Sequence, residues 1–147
     1  MKVLVELLRA VTENGKLFRF QAPGFSMYPF IRNCDTIIIS PLSFGRPRLG
    51  DVVAFIRPGT GKLVIHRVVE NKGGCYLIKG DNTSEPDGLI LNSNILGYVT
   101  KVERNGKKIS LGLGLERLLI AYMSRKSILL PSLSLACYLI RPFLRRV

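Results

Sequence analysis

Four side chains in this sequence are of the types needed for nucleophilic chemistry. Ser26 lies in the stretch GFSMYPFIRNCD, and a serine hydroxyl becomes a strong nucleophile only when a base takes its proton. His66, the single histidine of the chain, lies in VIHRV and could be that base near neutral pH. Asp81 and Asp87 follow in KGDNTSEPD, and a carboxylate can fix the tautomer of a catalytic histidine.

Taken singly, each of these residues is more typical of ordinary structure than of catalysis. A lone serine in a turn is usually a turn residue, and a lone histidine in a strand usually packs against its neighbours. The segments Gly-Asp-Asn and Pro-Asp-Gly are common turn sequences. Composition and periodicity therefore leave both interpretations open, and the choice depends on which residues the fold brings together.

The segments around these residues predict a mostly β protein. Apolar residues at helical spacing predict a first helix over residues 2–12, which ends at Asn14-Gly15. Phe18 and its neighbours predict a short strand before the serine loop. Runs of β-branched residues between glycines and prolines predict further strands at 36–42, 51–57, 62–70, 75–80, 95–104 and 107–111, the last two joined at Asn105-Gly106.

Six short motifs follow one another between Gly24 and Val99. They are G-F-S-M-Y-P-F-I, N-C-D-T-I-I-I, L-G-D-V-V-A-F, V-I-H-R-V-V, L-I-K-G-D-N with a later Asp, and I-L-G-Y-V. In this order they resemble the signal peptidase I and LexA-like serine peptidase superfamily. The resemblance implies curled antiparallel sheets in a peptidase domain over residues 1–112, which includes the first helix. A basic, apolar helical appendage is expected over 113–147.

The resemblance also implies a role for each candidate catalytic residue. Ser26 matches the family's nucleophile, and His66 stands where bacterial members have a lysine base. A histidine there is typical of the endoplasmic-reticulum and archaeal signal peptidases, which also have an aspartate after the KGDN box. Asp87 matches that aspartate and Asp81 is the box aspartate itself. Either of them is expected to orient His66.

Residues near Ser26 are expected to bind the substrate and the developing oxyanion. Signal peptidases commonly have Ser-Gly before the nucleophile, whereas this chain has Gly24 and Phe25. The Ser26 backbone N–H is then the one oxyanion donor that the sequence indicates. The resemblance implies a substrate bound as an added β-strand, with Phe25, Met27 and Pro29 as substrate-binding residues.

These observations favour a serine endopeptidase that makes a limited cut in a precursor, signal or leader peptide. The alternative is a non-catalytic peptide-binding or regulatory module on the same fold. Nucleic-acid binding is not expected, because no helix-turn-helix precedes Gly24 and no aromatic residues interleave a basic patch.

The charge distribution indicates where the chain meets an anionic partner. Residues 1–100 contain 12 Lys and Arg against 8 Asp and Glu, whereas residues 101–147 contain 10 against 2. The uncharged run SILLPSLSLACYLI is shorter than the roughly 20 residues of a spanning helix, and it contains Pro131. The first residues match neither a signal peptide nor a membrane span. We therefore expect a cytoplasmic protein, peripheral at the inner membrane face through residues 113–147.

The cysteines indicate neither a disulfide framework nor a metal site. Cys34, Cys75 and Cys137 are odd in number and form no CxxC pair. Free thiols in a reducing compartment are the expectation. One histidine and three scattered cysteines lack the spacing of known metal ligands, so we expect no metal and no other cofactor.

Overall fold

The computed structural model of the protein describes residues 2–144, which form an antiparallel sheet with three helices around it. Short 3-10 turns span Leu42–Phe44 and Asn92–Asn94. The predicted fold class, a mostly β protein with an N-terminal helix and C-terminal helices, is confirmed. The elements are α1 (Lys2–Glu13), β1 (Phe18–Gln21), β2 (Thr36–Ser40), β3 (Val52–Ile56), β4 (Leu63–Lys72), β5 (Cys75–Lys79), β6 (Gly88–Leu91), β7 (Ile95–Arg104), β8 (Lys107–Ile109), α2 (Arg117–Arg125) and α3 (Leu129–Leu144).

The register of the sheet is irregular. The strand order is β1-β2-β7-β3-β4-β5-β6, and β8 pairs with the second half of β7. The register shifts in three strand pairs, at Ile38/Ile39, Ala54/Phe55 and Val68/Glu70. Such bulges bend a strand and increase its twist, which accounts for the curled sheet that the sequence predicts.

Strand β3 separates two apolar cores. Successive side chains of a strand point to opposite faces. Val52 and Ala54 accordingly pack into one core with α1, whereas Val53 and Phe55 pack into another with β5 and β6. The segment VVAF is therefore apolar at every position rather than at every second one.

Most of the elements predicted from the sequence are present. The predicted first helix is α1, and the hairpin that turns at Asn105-Gly106 is β7–β8. The sequence analysis missed β6, which is only four residues long and reaches β5 across a polar loop. Pro131 does not prevent α3, because it lies in the first turn, where the backbone N–H groups have no intrahelical acceptor.

The C-terminal helices pack against the sheet and against the loop between β1 and β2. The buried Lys79 of β5 donates from Nζ to the Ser124 carbonyl oxygen over 2.8 Å. Phe30, Ile120 and Leu129 form a third apolar cluster, which joins both helices to that loop. Across residues 2–144, every helix falls short of the length and apolar character needed to cross a membrane.

Two sequence predictions reach beyond the described part of the chain. The appendage predicted over 113–147 ends in residues 145–147, which lie outside the described range, and the division at residue 112 stays a prediction. Cys34 and Cys75 are free thiols. The side chain of Cys137 lies outside the described residues.

Candidate active site

The loop that contains Ser26 joins β1 to β2 and is closed at its base by backbone hydrogen bonds. The Ala22 N–H donates to the Asp35 carbonyl oxygen over 2.8 Å. Gly24 has a φ of +80°, a left-handed conformation that favours glycine, and its N–H donates to the Asn33 side chain over 2.8 Å. The stretch GFSMYPFIRNCD is thus a loop with fixed ends.

An ion pair fixes this loop to the centre of the sheet. Both oxygens of the Asp35 carboxylate accept hydrogen bonds from Arg104 at the end of β7, at 2.9 and 2.7 Å. Burial alone would raise the pKa of Asp35. The hydrogen bonds from Arg104 and from the Arg32 N–H outweigh burial and hold that pKa below its usual value.

His66 and Asp87 meet at one side of the site. His66 lies in β4, and Asp87 lies in the loop between β5 and β6, where its N–H donates to the Ile78 carbonyl oxygen over 2.8 Å. The imidazole Nδ1 and Asp87 Oδ2 are 2.5 Å apart, and both side chains are almost fully buried. A proton held at Nδ1 by the carboxylate leaves the other ring nitrogen, Nε2, as a proton acceptor.

Arg57, just after β3, binds the second oxygen of the same carboxylate. Its Nη2 contacts Asp87 Oδ1, so the carboxylate lies between the guanidinium and the imidazole. Burial alone would raise the pKa of Asp87. The hydrogen bonds from His66 and Arg57, together with the positive charge of Arg57, outweigh burial and hold that pKa below its usual value. Asp87 is therefore ionised at neutral pH.

Asp81 has a different partner. Its carboxylate accepts hydrogen bonds from Nε and Nη2 of Arg67 at 2.8 and 2.7 Å, and both side chains are fully buried. Arg67 Nη1 donates to two backbone carbonyl oxygens. Because His66 and Arg67 are neighbours in β4, they point to opposite faces of the strand. The structure thus brings Asp87 to His66 and leaves Asp81 with Arg67.

The KGDN segment connects the serine loop to the histidine. The Asn82 N–H donates to the Ser26 carbonyl oxygen over 2.8 Å, and its side-chain amide donates to the Phe25 carbonyl oxygen over 3.1 Å. A Cβ at Gly80 would lie 2.7 Å from the Ser26 carbonyl oxygen and 3.0 Å from His66 Nε2. Glycine is required at this close approach, and Nε2 faces the serine loop.

Ser26 and His66 line the same open cavity, with a volume of about 380 Å³. Of the three predicted substrate-binding residues, Met27 lines this cavity, whereas Phe25 and Pro29 do not. Phe25 is exposed to solvent. The remaining walls are mostly apolar, and their large side chains come from α1, β1, the serine loop and β4: Leu4, Phe20, Ile31, Leu63 and Ile65.

Ser26 is half-buried, and its hydroxyl and backbone N–H face the cavity without a partner among the described residues. Within residues 2–144, no hydrogen bond joins Ser26 Oγ to His66, and the Ser26 N–H donates to no other group. Catalytic hydrogen bonds are often long in an enzyme without substrate and shorten when substrate binds. The missing hydrogen bond is compatible with a catalytic and with a non-catalytic Ser26.

Sequence reasoning missed several residues of this site. Gly80 and Asn82 belong to the KGDN motif, so the motif itself contained their signal. Arg57 and Leu4 had no local signal, because Arg57 reaches Asp87 across 30 positions and Leu4 reaches the cavity through the packing of α1. Only the folded chain brings these two residues to the site.

A curled antiparallel sheet with a serine loop and a strand histidine on one cavity defines a serine peptidase-like fold. A model of the Peptidase S24-like family matches residues 3–100, more than half of the chain. The chain therefore belongs to the Peptidase S24-like family, within the LexA and signal peptidase-like superfamily of serine peptidases. No curated protein matches the chain. The family includes non-catalytic members, so membership alone does not assign an activity.

Proposed function

We propose that this protein is a serine endopeptidase that makes a limited cut in a precursor, signal or leader peptide. Ser26 is the nucleophile, His66 is the general base, and Asp87 orients the imidazole. The observation that supports this most strongly is the 2.5 Å contact between His66 Nδ1 and Asp87, on a ring whose Nε2 faces the Ser26 loop. A peptide-binding module has no need of such a pair beside a serine.

The proposed reaction has two halves. Ser26 Oγ attacks the scissile carbonyl carbon while its proton passes to His66 Nε2, and Asp87 stabilises the imidazolium that forms. The same proton then goes to the amine of the leaving peptide as the C–N bond breaks, which leaves an ester on Ser26. Water, deprotonated by His66, hydrolyses that ester and restores the hydroxyl.

The tetrahedral intermediate needs hydrogen-bond donors for its oxyanion. The Ser26 N–H is suited to this, because it has no hydrogen-bond acceptor among the described residues. Gly24 and Phe25 supply no side-chain donor. Losing one oxyanion donor costs about 10²–10³ in rate, so we expect slow turnover unless further backbone N–H groups contribute.

The cavity supports an extended peptide with an apolar side chain next to the cut. Its walls combine Leu4 of α1 with Phe20 of β1 and Leu63 and Ile65 of β4. Apolar pockets of this kind give specificity, while the backbone of an added strand gives affinity. The natural substrate would then have an apolar residue close to the scissile bond.

Arg57 supports the base indirectly. Its guanidinium shares the Asp87 carboxylate with His66, and therefore keeps that carboxylate ionised and in place. Arg57 touches no reacting atom in this mechanism, and so it is a positioning residue. Its half-exposed side chain can be hydrated, unlike that of Arg67.

A digest of a mixed peptide library, read by mass spectrometry, tests the proposal. Wild type should cleave a small set of peptides at one bond each, with an apolar residue near the cut. Ser26→Ala and His66→Ala should cleave none of them. Ser43→Ala, which changes an exposed serine of another loop, should match wild type.

Two outcomes of this digest would count against the proposal. Equal cleavage by Ser26→Ala would exclude Ser26 as the nucleophile. A library left intact by wild type would favour the non-catalytic module instead, an alternative consistent with the missing hydrogen bond between Ser26 Oγ and His66 in residues 2–144.

A further inference from the structure

Helix α2 has an apolar face that points away from the sheet. Its inner side buries Ile120 and Ala121. The opposite apolar residues recur at the spacing i, i+3, i+4 and i+7, which puts them on one side of a helix. We call them the leucine face, and their exposed fractions are 87% for Leu115, 46% for Leu118, 60% for Leu119 and 58% for Tyr122.

The leucine face is covered by nothing within the described residues. Four neighbouring large side chains that remain exposed differ from the single exposed leucines found on most surfaces. Hydrating such a row has a free-energy cost, and contiguous apolar patches on soluble proteins mark interaction sites. The sequence predicted a helical appendage over 113–147 but not which of its apolar residues stay exposed.

An exposed lysine continues the leucine face, and the sequence around it is strongly basic. Lys126 is exposed and follows Tyr122 by four positions, which continues the same side of the helix. From residue 105 to 147 the chain contains eight Lys and Arg and one acidic residue, Glu116. The Glu116 carboxylate accepts hydrogen bonds from the N–H groups of Gly112 and Gly114, so it is turned back onto its own backbone.

We propose that the leucine face docks on the surface of an anionic lipid bilayer. Apolar side chains would enter the boundary between headgroups and acyl chains, and the exposed Lys126 would bind anionic headgroups. A second copy of this chain is disfavoured as the occupant, because a net charge of +12 repels an identical surface. The proposal stands on α2 and the turn before it, which contains Leu115, and is independent of the peptidase activity.

Vesicle flotation with the full-length protein tests this proposal. Wild type should float with vesicles that contain phosphatidylglycerol, bind pure phosphatidylcholine vesicles much less, and be released at high salt. The double variant Leu118→Ser with Leu119→Ser should bind about tenfold less. The matched control is Leu89→Ser with Leu91→Ser, two leucines of β6 that are each 54% exposed, and it should bind like wild type.

Two further measurements distinguish lipid binding from misfolding of the double variant and from dimer formation. Leu115→Ser changes the most exposed residue of the leucine face, outside α2, and should weaken flotation even if the double variant is poorly folded. Size-exclusion chromatography reports the oligomeric state. The proposal would be overturned by absent flotation of wild type, by equal flotation of the leucine-face variants, or by a dimer that these variants dissociate while lipid binding stays unchanged.

Discussion

The substitution Asp81→Asn removes a charge from the protein interior and keeps the shape of the side chain. In the native protein, Asp81 and Arg67 are both fully buried and share two hydrogen bonds of 2.8 and 2.7 Å. Without the carboxylate, the Arg67 guanidinium stays buried with carbonyl groups and no anion in hydrogen-bond contact. Breaking a buried pair in this way costs about 3–5 kcal/mol, so we expect the free energy of unfolding to fall by that amount.

The loss can be measured by urea unfolding at neutral pH. The chain has no tryptophan, so far-UV circular dichroism is the suitable signal. The same loss corresponds to a fall in Tm of roughly 6–20 °C for a domain of this size. Adding Arg67→Met to Asp81→Asn should recover part of the stability, because no lone charge then remains in the interior.

Asp87→Asn is the matched comparison, and it should affect cleavage more than stability. Its partner Arg57 is 38% exposed and can be hydrated, so the stability loss should be smaller than for Asp81→Asn. Cleavage should fall by about 10³–10⁴, because the amide no longer holds the correct histidine tautomer. If Asp81→Asn kept both its stability and its fold yet lost cleavage, the assignment of the two aspartates would be refuted.

Two further predictions follow from the charged groups of the site. Arg57→Gln leaves the Asp87 charge to act on the imidazole alone, so the pH midpoint of kcat/KM should move upward, with recovery in Arg57→Lys. An unchanged midpoint would exclude a positioning role for Arg57. Burial raises the pKa of Asp35, but the effect of Arg104 is larger, so the pKa in the folded protein lies below the usual value of about 4. The ionised Asp35 therefore stabilises the fold at pH values above about 4. This contribution is lost as the pH falls through the lower pKa of the folded protein. Arg104→Gln should therefore lower stability at neutral pH and flatten the decline in stability measured by urea unfolding between pH 5 and the acid limit of the native state; an equally steep decline would contradict this account.

Local signals in the sequence were sufficient for most of the fold. Strands such as β2 and β3 are β-branched and bounded by turn residues, and Asn105-Gly106 is a strong hairpin signal. Strand order was beyond reach, because β7 pairs with β2 over more than 50 positions and no local pattern specifies that pairing. The short strand β6 was missed for the same reason, since its partner rather than its composition makes it a strand.

The candidate site, like the fold, could be predicted from the sequence only in part. Ser26, His66 and the two aspartates could be named from residue type and motif order. The choice between Asp81 and Asp87 could not be made, because both lie in one polar loop and each could face either side of β4. Alternation along that strand separates them, since Arg67 takes Asp81 on one face and His66 takes Asp87 on the other.

The central claim is that His66 activates Ser26, and covalent labelling tests it without a known substrate. A fluorophosphonate reacts with an activated serine hydroxyl, and intact-mass measurement counts the adducts. Wild type should gain one adduct, located at Ser26 by tandem mass spectrometry, and the rate should rise through the range in which imidazoles lose their proton, about pH 6 to 7.5. His66→Gln should gain almost none. A wild type that gains no adduct at Ser26, or a His66→Gln variant labelled at the same rate, would contradict the account.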